Sequence, residues 1–112
     1  ITMVKESAVV IIAIGEPGPA ERPNIRHNVE IFRKIVPAIA KFACRAVLVV
    51  VTQPVDVMSY ITWKLSKFPS NRVVGMGTSV DNARFQYFIG QRLGIANTSI
   101  SCMTIGKQGE NS

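Results

Sequence analysis

A chain of 112 residues with 47% hydrophobic and 18% charged residues describes one compact globular domain at most, which excludes a disordered tail. Its longest apolar runs, residues 8–14 and 46–51, are far shorter than the roughly 18–20 residues needed to cross a bilayer, so no membrane span is predicted. Thirteen Lys and Arg against seven Asp and Glu give a net charge of +6, compatible with an anionic substrate or a polyanionic partner. The cations are scattered from Lys5 to Lys107 without a run of three, and interleaved aromatics are missing, which argues against nucleic acid as the partner. Cys44 and Cys102 permit at most one disulfide and sit in no metal-ligand spacing, so free thiols in a reducing, cytoplasmic compartment are expected. The chain starts at Ile1 without a secretory leader and ends on Gly-Glu-Asn-Ser, and it is expected to be an internal piece of a longer protein.

Residues 7–14 (SAVVIIAI) form a β-branched run that ends at Gly15. Lacking polar alternation, the run predicts a central parallel strand covered on both faces. The Pro- and Gly-rich residues 15–24 then read as an exposed loop. Asn28 is placed to cap a helix in which Val29, Phe32, Val36, Ile39 and Phe42 keep one stripe and Pro37 introduces a kink. A second apolar strand, residues 46–52, leads to Pro54 in the first turn of a helix over residues 55–66. A short strand (RVVGMG), a helix over residues 80–93 ended by Gly94, and an extended alternating segment (SISCMTIG) complete the order. Strands alternating with helices imply an α/β fold with a parallel sheet, whose ligands bind beyond the carboxyl ends of the strands.

Residues 75–80 leave a strand and enter a helix as a dinucleotide fingerprint does, but Val80 stands where the third small residue belongs and no acidic residue follows at the ribose distance. A tight structural turn is the better account. His27, the single histidine, has no ligand partner at metal spacing and reads as a surface or capping residue, so no metal site is predicted. The helix from Val80 is apolar all round, which predicts burial on more than one side, and it encloses Asp81 and Arg84. Those two side chains form either an i, i+3 ion pair or, in a buried setting, a guanidinium that holds an anionic ligand bidentately.

The segments NVEIFRKIVPAI, TQPVDVMSYITWKLSKFPSNRVVGMG, SVDNARFQYFIGQRLG and IGKQGENS, in unbroken order, resemble the L-lactate and malate dehydrogenase family. The resemblance is closer to the lactate branch. It implies the second half of a doubly wound NAD-binding domain over residues 1–78 and the start of a catalytic domain over residues 79–112, with the glycine-rich fingerprint upstream of Ile1. It further implies cofactor contacts from Gly15, Asn28 and Gln53, and a substrate-carboxylate clamp at Arg84. Asp81 takes the place of the carboxylate that orients a catalytic histidine, and the histidine position itself carries Gln108. An amide does not titrate near neutral pH and cannot act as general acid. Gln53 replaces an asparagine on the substrate and nicotinamide side, and Arg22 is the counterpart of the mobile-loop arginine in a shorter loop.

Glutamine at both positions is similar to the degenerate dehydrogenase-like domain joined to ubiquitin-conjugating-enzyme variants. Three functions follow as alternatives: a dehydrogenase-like domain with binding kept and turnover lost; a working NAD-dependent 2-hydroxy-acid dehydrogenase with another proton source, such as water or Lys107; and a protein-binding scaffold. A small 2-hydroxy or 2-oxo acid as ligand and homo-oligomerisation of the full protein are what the family pattern implies.

Overall fold

The computed structural model describes residues 2–16 and 24–106, and the chain divides into two units, Ile1–Gly75 and Met76–Ser112. In the first unit three strands, β1 (Val9–Ile12), β2 (Val47–Val50) and β3 (Val73–Gly75), form a parallel sheet in the order β1-β2-β3. Their Val- and Ile-rich composition suits a pleated surface packed from its face. Val9 pairs with Val47 and Ile12 with Val50, while Leu48 pairs with Val73, so the carboxyl ends of β1 and β2 finish level.

Side chains alternate along a strand, and Val10, Ile12, Leu48 and Val50 bury one face of the sheet. On the other face Val9 and Ile11 remain 54% and 66% exposed. The expectation of a strand covered on both faces therefore holds on one face only among the described residues, and β2, not β1, is the middle strand of the three. An unbroken apolar run carries no alternation to say which face its own chain covers.

Helices α1 (Ile25–Phe42) and α2 (Val55–Ser66) connect the strands and pack against each other. Phe32, Val36 and Ile39 of α1 and Met58 of α2 enter one core with the buried sheet residues. The stripe predicted for α1 is thus the packed one, and the helix continues through Pro37, which lies on its exposed side. Its start differs from expectation: α1 begins at Ile25, after Asn24, and Asn28 lies inside the helix with no capping role. Pro54 directly precedes α2, which closes on Lys67 in a left-handed conformation before Phe68 turns into the core. Gly75 ends β3 against α2, where a Cβ would come within 2.5 Å of Ser59 Oγ. That close approach accounts for the first glycine of the Gly-Met-Gly segment as packing, in keeping with a structural turn.

In the second unit α3 (Ser79–Leu93) ends at Gly94, where the Gly94 amide donates to Gly90 O. The expected multi-sided burial is not found: Gly90 alone is buried in this helix, and Phe88 is 66% exposed. Apolarity all round a helix signals a demand for covering surface, but not that the same stretch of chain supplies it. Residues 99–106 also depart from expectation, since after a short turn at Asn97–Ser99 they form no strand. They run beside α3, held by Gln86 Nε2 donating to Ile100 O at 3.0 Å and by Thr78 Oγ1 donating to Thr104 O. An alternating pattern favours extended backbone, whereas a strand also needs a free edge to pair with. No helix among the described residues is long and apolar enough to cross a membrane.

Candidate functional site

Beyond the carboxyl ends of β1 and β2 the chain makes two loops, and buried side chains tie them together. Asn28, on the first turns of α1, is 0% exposed. Its Oδ1 accepts the Glu16 amide at 2.9 Å, and its Nδ2 donates to Glu16 O and to Gln53 O, each at 3.1 Å. Thr52 Oγ1 donates to Ile14 O at 2.7 Å. Two side chains therefore satisfy the backbone groups that the sheet ladder leaves behind at its end.

The two loops border a cleft of about 140 Å³ lined by Ala13, Gly15, Glu16, Thr52 and Gln53. Gly15 sits there with φ +148°, and a Cβ at this position would meet Asn28 Oδ1 at 2.7 Å and Thr52 Cγ2 at 2.8 Å. Glycine lets the first loop close on the clamp. The fold thus brings three sequence-predicted residues, Gly15, Asn28 and Gln53, to one place, with Asn28 beneath the surface and its amide spent on the loop backbones. The Gln53–Pro54 peptide is cis. His27 lies at the surface with Nε2 3.8 Å from Glu16 Oε1, and no group of metal-ligating side chains occurs among the described residues.

Replacing Asn28 by leucine keeps the branching at Cγ and removes all three hydrogen bonds. The backbone groups of Glu16 and Gln53 then lose their partners, and a stability loss of about 1–3 kcal/mol is expected, read from the denaturant midpoint of the full-length protein.

In the second unit Asp81 occupies the first turn of α3, where the helix dipole favours a carboxylate. Its Oδ2 is buried and has no hydrogen-bond partner among the described residues, as is true of Thr104 Oγ1. Its neighbour Asn82 accepts a hydrogen bond from Cys102 Sγ at 3.4 Å. Arg84 is exposed and makes no ion pair with Asp81, so the i, i+3 pair and the buried setting expected for Arg84 are both corrected. On a helix whose faces are mostly open, the guanidinium is hydrated rather than driven onto the nearest carboxylate. Gln108 and Arg22 lie outside the described residues. Sequence reasoning missed Thr52 as the second loop tie. Its signal was present, a hydroxyl closing an otherwise apolar strand.

A parallel sheet with crossover helices on one face, and a cleft past the carboxyl ends of two adjacent strands, defines a Rossmann-type α/β ligand-binding domain. The chain belongs to the lactate/malate dehydrogenase family: the family's NAD binding domain matches residues 2–75. It is similar to L-lactate dehydrogenase A-like 6A of Homo sapiens, 43% identical over 109 residues, which cover 95% of this chain and 33% of that protein. It is 39% identical to the L-lactate dehydrogenase B-B chain of Danio rerio over 114 residues, covering 99% of this chain and 34% of that one. The L-lactate dehydrogenase B chain of Anguilla rostrata is 40% identical over 109 residues, 95% of this chain and 33% of its own length. The chain spans about a third of the length of these curated relatives.

Proposed function

We propose that this chain forms part of a lactate dehydrogenase-like protein that keeps a cofactor and carboxylate site but has lost normal turnover. One observation carries this reading: Gln108 stands where the family resemblance implies the proton-transferring histidine. Asp81 supports it, since its Oδ2 is buried and has no donor among the described residues. A glutamine amide can donate a hydrogen bond but cannot exchange a proton with substrate.

NAD is the cofactor the family implies, and it supplies the hydride acceptor when bound. The cleft at Gly15 and Gln53 is about 140 Å³, below the roughly 300–1,000 Å³ of ligand pockets, so it fits one end of a dinucleotide and not the whole. Gly15 and Gln53 would border that end, and Asn28 would act from below by holding both loops in place. Arg84, exposed and unpaired by Asp81, is free to clamp the carboxylate of a 2-oxo acid. In the same reading residues 1–78 complete the NAD-binding domain and residues 79–112 open the catalytic one. The full protein is cytoplasmic and homo-oligomeric, without a nucleic-acid partner. The paired glutamines, Gln53 and Gln108, support membership of the degenerate branch joined to ubiquitin-conjugating-enzyme variants.

The test uses the full-length protein. NADH is expected to raise its melting temperature, as any ligand of the folded state does. NADH oxidation with pyruvate or oxaloacetate is expected to run roughly 10²–10⁴-fold below an active lactate dehydrogenase in the same assay, the contribution of a positioned acid. Turnover at the level of the active enzyme overturns the reading in favour of a working dehydrogenase. Absence of any NADH-induced shift favours a scaffold.

A further inference from the structure

At the opposite end of the sheet, the segment before β1 and the turn before β2 enclose a second cleft of about 750 Å³. This lies within the roughly 300–1,000 Å³ of small-molecule sites. Lys5, Lys41 and Arg45 line it, opposed by the single carboxylate of Glu6. None of the four forms an ion pair among the described residues. Lys41 Nζ sits 5.9 Å from the centroid of the Phe42 ring, and cations gathered on a concave surface without a balancing ion pair raise the local concentration of anions. Phe42 and Ala43 add an apolar wall, and Cys44 opens an exposed thiol onto the same space.

The walls are held by the fold. The Val47 amide donates to Ala8 O at 2.9 Å, the Ala46 amide to Ala43 O at 3.0 Å, and Arg72 Nη1 to Cys44 O at 2.8 Å. The helix end that borders the cleft is the carboxyl end of α1, so the cleft lacks the ring of amide donors that phosphate sites use. Two of its three cations are lysines, point charges rather than planar forks. This chemistry suits a carboxylate on a flat apolar body. We propose that the cleft is a binding site for small aromatic carboxylates, separate from the site at the carboxyl ends of the strands.

Cys44 serves as the reporter in the full-length protein. It is offered an aromatic disulfide bearing two carboxylates (dithiobis-nitrobenzoate) or an uncharged pyridyl disulfide, and labelling is located by peptide mass spectrometry. In each reaction the Cys44 thiolate attacks one sulfur, the reagent's S–S bond breaks, and an aryl thiolate leaves as the mixed disulfide forms. The anionic reagent is expected to be preferred. That preference should fall roughly two- to fivefold for each of Lys5→Gln, Lys41→Gln and Arg45→Gln, and fall with added salt. It should rise for Glu6→Asn, which removes the opposing charge and tolerates the left-handed φ of 66° at this residue. Free nitrobenzoate should protect Cys44 from the uncharged reagent. The proposal is overturned by an anionic preference that none of the four substitutions moves, by absence of protection, or by a Cys44 that neither reagent reaches.

Discussion

Gln108→His in the full-length protein is expected to raise NADH oxidation with pyruvate by at least about 10²-fold, the lower end of what a positioned acid contributes. Asp81 Oδ2 is buried with no donor among the described residues, and in the proposed reading it is the partner that an introduced imidazole needs for its orientation and tautomer. A nearby carboxylate favours the imidazolium and raises its pKa. Because the protonated form donates in the reducing direction, the gained activity should be present at low pH and decline as pH rises through that pKa. Arg84 makes no ion pair with Asp81, which in the proposed reading leaves it for the substrate carboxylate. Gln53, longer by one methylene than the asparagine of the family pattern, should hold the rate below that of a normal dehydrogenase, and Gln53→Asn in the same protein should raise it further. If both changes together give no NADH oxidation with any 2-oxo acid while NADH still stabilises the fold, the catalytic inheritance assigned to Asp81 and Arg84 is wrong.

Phe32→Ala should cost about 3–5 kcal/mol of folding free energy, which is a large share of the roughly 5–15 kcal/mol that stabilises a typical domain. Phe32 is fully buried where α1 meets the sheet, in one cluster with Val36, Leu48, Val50 and Met58. Truncation removes a ring from this cluster, and close-packed neighbours relax only partly into the space. Phe32→Leu, which leaves most of the volume, should cost less than about 1.5 kcal/mol. Chemical denaturation of the full-length protein separates the two, and equal midpoints would show that the site collapses freely. The substitution also reaches the cleft. Phe32 lies one turn beyond Asn28, so loosening α1 loosens the clamp on both loops.

Several elements were legible because one local signal governs them. The stripe from Val29 to Phe42 predicted the packed face of α1, and Gly94 ended α3 as expected. The runs at residues 8–14 and 46–51 contain β1 and β2, with the candidate residues Gly15 and Gln53 directly beyond them. Asn28 shows where local reading stops. Its type and position fit a helix cap, yet α1 starts earlier and the side chain turns inward to bonds 12 and 25 residues away. Nothing near Asn28 in sequence announces those partners. The helix α3 fails in the opposite way: its composition asks for burial that the described residues do not provide.

The sequence by itself determined the alternation of strands and helices, the absence of a membrane-spanning run, the family resemblance and the presence of glutamine at positions 53 and 108. Periodicity, turn residues and functional-group chemistry are local properties that a linear chain carries in full. Only the tertiary structure decided that Asn28 and Thr52 are ties between loops, that Asp81 and Arg84 stand apart, and that Lys5, Lys41 and Arg45 share a cleft. The loop ties and the cleft depend on which backbone group or charge arrives beside a side chain once the β1–β2 register and the packing of α1 are set, and the state of Asp81 and Arg84 depends on what covers α3; hydrogen bonds and charge convergence act over a few ångströms of space rather than along the chain.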